Sequence, residues 1–306
     1  MEVAFSLQKL AAYKPRKTQK SKETLDAGLV LLENGGHATN GEAGWDAIEK
    51  LALAALDQGN TEVADRCIRI LLDKFPDSPR VHILTGIRLE ATEKTEAVLR
   101  YYDELLEENS STAAAWQRKA HVLRQIGKVD RAVEELSAML DTFYTEVDGW
   151  IELADIYMSC QQYTYALQSL SHALLLSPQN PSYFLQFAET AYLADDVPLA
   201  LKMFLQTVDM TDDDDDDGDV APGDSVPSGI TLRAWFGVKL CASKLVSEPR
   251  AASSSPSQTP APAADKLSAL NDLSTERLRT AYLNVKHESP PAGDSELIKA
   301  LAPLVK

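Results

Sequence analysis

Residues 147–180 read VDGWIELADIYMSCQQYTYALQSLSHALLLSPQN, and this stretch decides the fold. Small residues stand at its eighth and twentieth places (Ala154, Ala166), large apolar ones at its fourth and twenty-fourth (Trp150, Leu170), and Pro178 follows the last apolar run. The preceding 34 residues, 113–146, repeat the arrangement with Trp116, Ala120, Ala132 and Leu136. Apolar residues three and four apart mark each half of such a unit as an amphipathic helix. Small residues facing each other let two helices approach closely where a leucine would hold them apart.

Extending the register both ways gives five consecutive 34-residue units without a gap, starting at Trp45, Pro79, Ala113, Val147 and Pro181. The eighth place holds Ala52, Gly86, Ala120, Ala154 and Ala188, and the twentieth Ala64, Val98, Ala132, Ala166 and Ala200. Larger apolar residues take the fourth place (Ile48, Trp116, Trp150, Phe184) and the twenty-fourth (Ile68, Tyr102, Leu136, Leu170, Phe204). Gly59 and Gly127 fall where a helix C-terminus favours a left-handed residue, and Pro76 and Pro178 end their units because proline cannot continue a helix. The second unit is the most divergent, with His82 and Thr85 in two normally apolar places. A 34-residue pair of helices is the period of the tetratricopeptide (TPR) repeat. The expected fold is therefore all-α, a TPR-type helical-hairpin solenoid with a disordered acidic insert and a C-terminal capping helix.

The five repeats occupy 45–210. Before them, 1–44 forms a basic arm and leading helix, with Lys9, Lys14, Arg16, Lys17, Lys20 and Lys22 in its first half. A solvated arm is preferred there over a transit peptide. Residues 211–229 bring six adjacent aspartates followed by Gly, Pro and Ser; like charges repel and resist burial, so a disordered loop is expected. Calcium binding by this run lacks the alternating ligand spacing and glycine of an EF-hand loop. Residues 230–247 read as the first helix of a sixth unit, with Ile230, Ala234, Val238 and Cys241 in helical spacing. A Pro/Ser/Ala linker at 248–264 is expected to be unstructured. The C-terminal helical cap and tail, 265–306, carries Leu267, Leu270, Leu273, Leu278 and Leu283 to close the open end of the stack.

The net charge is −16, but Asp212–Asp217, Asp219 and Asp224 supply eight of those negative charges. The mildly acidic remainder lacks the basic stripe that phosphate binding needs, which argues against nucleic acid. Cys67, Cys160 and Cys241 lie far apart in no CxxC pair, so neither a disulfide framework nor a zinc site is indicated. No apolar run approaches the ~20 residues needed to cross a bilayer, so no direct transmembrane span is expected. No nucleophile elbow, phosphate-binding loop, dinucleotide fingerprint or HExxH motif occurs. Adjacent acids such as Glu107–Glu108 and Glu134–Glu135 point different ways on a helix and read as solvated faces. Catalysis and cofactors are accordingly not expected. Trp116 and Trp150, at the fourth repeat place, read as buried packing rather than as partner hot spots.

What remains is surface. In stacked helix pairs the first helices line the concave side, where extended ligands lie. By repeat position this groove is lined by Gln117, Arg118 and His121 in the third unit, Glu152 and Asp155 in the fourth, and Gln186 and Glu189 in the fifth. It shifts from mixed to acidic along its length. TPR co-chaperones that hold acidic C-terminal tails place Lys, Arg and Asn there, and Glu152, Asp155 and Glu189 would repel such a tail. A free TPR adaptor or co-chaperone binding another peptide in the groove is the alternative to the reading that follows.

Five blocks carry a narrower resemblance: SPRVHILTGIRLE (78–90), YDELLEE (102–108), AAWQRKA (114–120), GWIELADIY (149–157) and RAWFG (233–237). Together they resemble subunit 2 of the endoplasmic reticulum membrane protein complex over about Trp45–Ser247. The resemblance implies a non-enzymatic cytosolic scaffold, peripheral to the membrane at the cytoplasmic face of the endoplasmic reticulum, in a hetero-oligomer with membrane-embedded and soluble subunits. That complex inserts tail-anchored and multipass proteins, and its TPR subunit is expected to cradle soluble parts of its partners. The Asp-rich insert, the Pro/Ser linker and the basic arm have no counterpart in the resemblance.

Overall fold

The computed structural model describes residues 8–11, 21–33, 41–212, 226–248, 250–253 and 255–285, all helical or in the turns between helices. The chain divides into two compact units, Met1–Phe143 and Tyr144–Lys306. The first holds α1 (Ser21–Glu33), α2 (Gly41–Asp57), α3 (Thr61–Lys74), α4 (Pro79–Thr92), α5 (Thr95–Glu108), α6 (Ala113–Gln125) and α7 (Val129–Thr142). The second holds α8 (Val147–Ser159), α9 (Tyr163–Leu176), α10 (Pro181–Leu193), α11 (Val197–Asp212), α12 (Gly229–Ser247), α13 (Arg250–Ser253) and α14 (Ala264–Val285). Among the described residues no helix is long and apolar enough to cross a membrane.

The register holds to the residue. First helices of repeats begin at Pro79, Ala113, Val147 and Pro181, and second helices at Thr61, Thr95, Val129, Tyr163 and Val197. Local chemistry sets these starts. Pro79 and Pro181 take the first helical turn, where the missing N–H costs nothing. The side chains of Asn60 and Asn180 accept from Val63 N–H and Ser182 N–H, satisfying orphan donors. One boundary differs: the first repeat's leading helix starts at Gly41, four residues before Trp45, because Glu42 and Ala43 continue the helical pattern.

In four of the five repeats the turn between paired helices closes in the same way. Gly59, Gly127, Gln161 and Asp195, one per repeat, adopt φ of +71°, +77°, +59° and +62°. The following N–H then reaches back to a carbonyl five residues earlier: Asn60 to Ala55 (2.8 Å), Lys128 to Leu123 (2.9 Å), Gln162 to Tyr157 (2.9 Å) and Asp196 to Ala191 (2.9 Å). Glu93, at this place in the second repeat, keeps φ −105° and makes a plainer turn. A Cβ at Gly127 would meet no atom within 4 Å. Gly127→Ala is therefore expected to cost ~1 kcal/mol through backbone conformation alone, and Gln161→Gly to gain a few tenths up to ~1 kcal/mol, both read from denaturant midpoints.

The small column is buried throughout: Ala52, Ala120, Ala154 and Ala188 have no exposed surface, and Gly86 is also buried. A Cβ on Gly86 would stand 2.4 Å from Tyr102 Oη, so only glycine lets the α5 ring lie flat on α4. The twenty-fourth column (Ile68, Tyr102, Leu136, Leu170, Phe204) is buried as well. The fourth place departs from expectation, since Trp116 and Trp150 are only half-buried. Their indole N–H groups donate to carbonyls six residues earlier, Ser110 (3.2 Å) and Tyr144 (2.9 Å), which holds one ring edge at the surface. Buried hydroxyls are satisfied within their own helices, as when Ser169 donates to Tyr165 O and Thr207 to Met203 O.

In the second unit α12 packs on α11 as a sixth first helix should, and a Cβ on Gly237 would stand 2.3 Å from the Phe204 ring. α14 lies against α12, where Lys239 Nζ donates to Asn271 Oδ1 (2.8 Å) and Thr275 Oγ1 (2.7 Å). Of its leucines, Leu267 and Leu278 are buried, whereas Leu273 and Leu283 are exposed. The linker read from composition as unstructured differs in two places. It contains α13, and residues 255–259 are fastened to the buried carboxylate of Asp196. Residues 211–212, grouped by composition with the acidic insert, end α11. The rest of the Asp run, the greater part of the basic arm and the tail from 286 lie outside the described residues.

Candidate functional site

All seven groove positions read from the repeat are half-buried on first helices, and most are already engaged within the protein. In the first unit, Arg118 on α6 reaches back to α4 and grips Glu90 with both ends of its guanidinium, Nε to Oε1 at 3.0 Å and Nη2 to Oε2. Tyr102 Oη donates to the same carboxylate at 2.6 Å. Burial works against the Arg118 cation, but Glu90 more than offsets it and its pKa is raised. Burial, reinforced by Glu90, also pushes the Tyr102 phenol well above its ordinary range, so it remains a donor. His121 pairs its Nε2 with the Gln125 amide at 2.9 Å. Gln117 flanks this network on the same helix.

The second unit repeats the brace with different chemistry. Gln186 on α10 donates to Asp155 Oδ1 on α8 at 2.7 Å, and Arg233 on α12 donates to Glu189 Oε1 at 2.7 Å. The acidity expected at this end is thus answered partly by an amide and partly by a cation from the sixth helix. Glu152 lies one turn ahead of Asp155 on α8. Beside the Glu189–Arg233 pair opens a pocket of about 320 Å³ lined by Tyr192, Leu193, Phe204, Phe236, Gly237 and Leu240. Leu193 at its edge is 57% exposed.

Sequence reasoning missed the pairing among these residues. Arg118 and Gln186 both occupy the sixth place of a repeat, and both reach the first helix of the repeat before. An acceptor about 28–31 residues upstream of a sixth-place donor was the available signal. A pair of a different kind joins Arg88 on α4 to Asp65 on α3, where the guanidinium hydrogen bond lowers the Asp65 pKa. Lys119 lies between Asp103 (2.8 Å) and Glu135 (2.6 Å), and its pKa is raised by those carboxylates despite burial.

The arrangement offers recognition more than reaction. Burial pushes the Cys67 and Cys241 thiols up to about 12, which leaves them neutral at physiological pH. Among the described residues no group of three or more His, Cys, Asp or Glu stands close enough to hold a metal ion.

Comparisons with known proteins agree with the repeat reading. A family model described as the EMC2 TPR-like repeat domain matches residues 63–205. ER membrane protein complex subunit 2-A of Xenopus laevis is 29% identical over 247 residues, spanning 79% of this chain and 77% of that protein. TPR repeat protein oca3 of Schizosaccharomyces pombe is 30% identical over 207 residues, spanning 66% of this chain and 67% of that one. Among solved structures, Pseudomonas aeruginosa pilF aligns with a TM-score of 0.51 at 18% identity, covering 84% of this chain and 96% of its own. The C-terminal part of a TPR protein from Cytophaga hutchinsonii aligns with a TM-score of 0.51 at 10% identity, covering 94% and 95%.

Proposed function

This chain belongs to the EMC2 TPR-like repeat family, and from that premise we propose that it is the scaffold subunit of an endoplasmic reticulum membrane protein complex, working by binding and not by catalysis. In this reading it sits peripherally at the cytoplasmic face and is held there by membrane-embedded and soluble partner subunits. It supports insertion of tail-anchored and multipass proteins by holding soluble parts of those partners.

One observation carries the reading. The blocks that resemble the family are the ones that build the specific packing of this chain. Gly86 and Glu90 (78–90), Tyr102 (102–108) and Arg118 (114–120) form a single network in the first unit. RAWFG supplies Arg233 for Glu189 and Gly237 for Phe204 in the second. Such close contacts are not needed for a generic repeat, where an alanine in the small column suffices.

The groove is proposed to hold an extended partner segment. Because Arg118, Asp155, Gln186 and Glu189 are paired internally, recognition in the second unit rests on an apolar anchor in the pocket beside Leu193. Internal pairing keeps the rails rigid, which lowers the entropy lost on binding. Leu193→Asp tests this, since the residue is exposed and its replacement is expected to leave the fold intact. The expected result is an unchanged melting temperature with groove affinity weakened by ~2 kcal/mol, about thirtyfold, as for a central interface residue. Full retention of every partner by this variant would remove the pocket from the interface.

A further inference from the structure

The segment between α13 and α14 holds two adjacent proline-directed acceptor sequences, Ser255-Pro256 and Thr259-Pro260. Its first serine is built into the fold. Ser255 Oγ donates to Asp196 Oδ1 at 2.7 Å and accepts from Thr259 N–H at 3.3 Å, while Ser257 N–H donates to Asp196 Oδ2 at 3.0 Å. Asp196 is 2% exposed and also caps α11 through Leu199 N–H at 3.4 Å. One buried carboxylate therefore fastens the segment to the repeat stack. Beyond this latch, Thr259, Pro260 and Pro262 line a cavity of about 770 Å³ together with Leu201, Leu205 and Trp235. Pro256, Ser257 and Gln258 are exposed, so an enzyme has access to the latch from outside.

We propose that Ser255 is the acceptor for a proline-directed protein kinase, and that its phosphorylation releases the 255–263 segment from Asp196 and opens the cavity. Ser255 Oγ attacks the terminal phosphorus of a nucleoside triphosphate. The new O–P bond forms as the bond to the diphosphate leaving group breaks, and the hydroxyl proton passes to the kinase's base. The product exchanges the hydroxyl donor at Asp196 Oδ1 for an anion of about −1.5 to −2 charge facing a buried carboxylate. Lys244 on α12 is held at 2.5 Å on Asp195, the residue before Asp196, and is engaged there instead of with the phosphate. Like charges brought this close at low dielectric separate.

The test uses the full chain, ATP and a proline-directed kinase that phosphorylates a free peptide of residues 250–263. Sites are mapped by mass spectrometry, and amide exchange is followed at Ser257 and Thr259. The expected result is phosphate on Ser255 with exchange at those two amides accelerated about ten- to hundredfold, the factor that losing a hydrogen bond to a charged group corresponds to. Ser255→Ala, which removes the donor without adding charge, should give a smaller acceleration, and phosphorylated Asp196→Asn a smaller one than phosphorylated wild type. An unmodified Ser255 in the folded chain would overturn the assignment. So would a phosphorylated Ser255 with unchanged or slower exchange, the latter meaning capture of the phosphate by Lys202 or Arg277 across the cavity.

Discussion

Replacing Tyr102 by alanine should lower the unfolding free energy of the Met1–Phe143 unit by ~3–5 kcal/mol, the range for deleting a large buried aromatic side chain. The ring has no exposed surface, and its hydroxyl is one of the donors to Glu90, at 2.6 Å. Tyr102→Phe keeps the ring and removes only that donor. Glu90 retains Arg118, so this variant should cost ~1–2 kcal/mol. The closer diagnostic is Gly86→Ala. Alanine gains ~1 kcal/mol in a helix interior, but its Cβ would press on Tyr102 Oη at 2.4 Å and on ring carbons at 2.7 Å. Overpacking of this kind costs ~1–3 kcal/mol, so the substitution is destabilising overall. With Tyr102→Ala in place, the same Gly86→Ala change should become stabilising. A double-mutant cycle in denaturant, followed through Trp45 and Trp116, checks the sign; additive effects would mean that the two residues do not touch.

Asp196→Ala should cost ~2–3 kcal/mol in the Tyr144–Lys306 unit. An N-cap contributes ~1 kcal/mol, and each hydrogen bond to a carboxylate ~1.5–3 kcal/mol; the recovered desolvation of a buried acid offsets part of this. The loss is not confined to α11, because Ser255 and Ser257 lose their shared anchor. Protease cleavage between 255 and 263 should accelerate in Asp196→Ala and much less in Asp196→Asn, whose carbonyl oxygen still accepts. Equal cleavage of both variants would show that the segment is held by something other than this side chain.

The 34-residue spacing was legible because the small and large columns obey sterics that any helical hairpin imposes. Ala154 facing the partner helix and Leu170 filling the space beyond it leave one workable register. Gly59 and Gly127 announced left-handed turns for the same kind of reason. Gln161 and Asp195 adopt the same conformation without glycine, and only their place in the register marks them, since neither residue type requires it. The chemistry of the proposed groove positions was not legible. Whether Arg118 is a free cation depends on Glu90, which is 28 residues away and in another repeat. Charge carried by one helix is decided by its neighbour, so a list of lining residues overstated the acidity around Glu189, which Arg233 answers from 44 residues downstream. The linker misled for a related reason. Ala, Ser and Pro cannot build a core of their own, but three hydrogen-bonding groups near Ser255 need only one buried carboxylate to become ordered.

The central claim is that this repeat protein is a working subunit of a membrane complex, and affinity purification tests it most directly. The tagged full chain is recovered from gently solubilised membranes and its partners are quantified by mass spectrometry. The scaffold reading predicts a stoichiometric set of membrane-embedded subunits that stays bound through washing in moderate salt. Recovery of the chain alone, or with only chaperones and other soluble proteins, would contradict it and favour a free TPR adaptor.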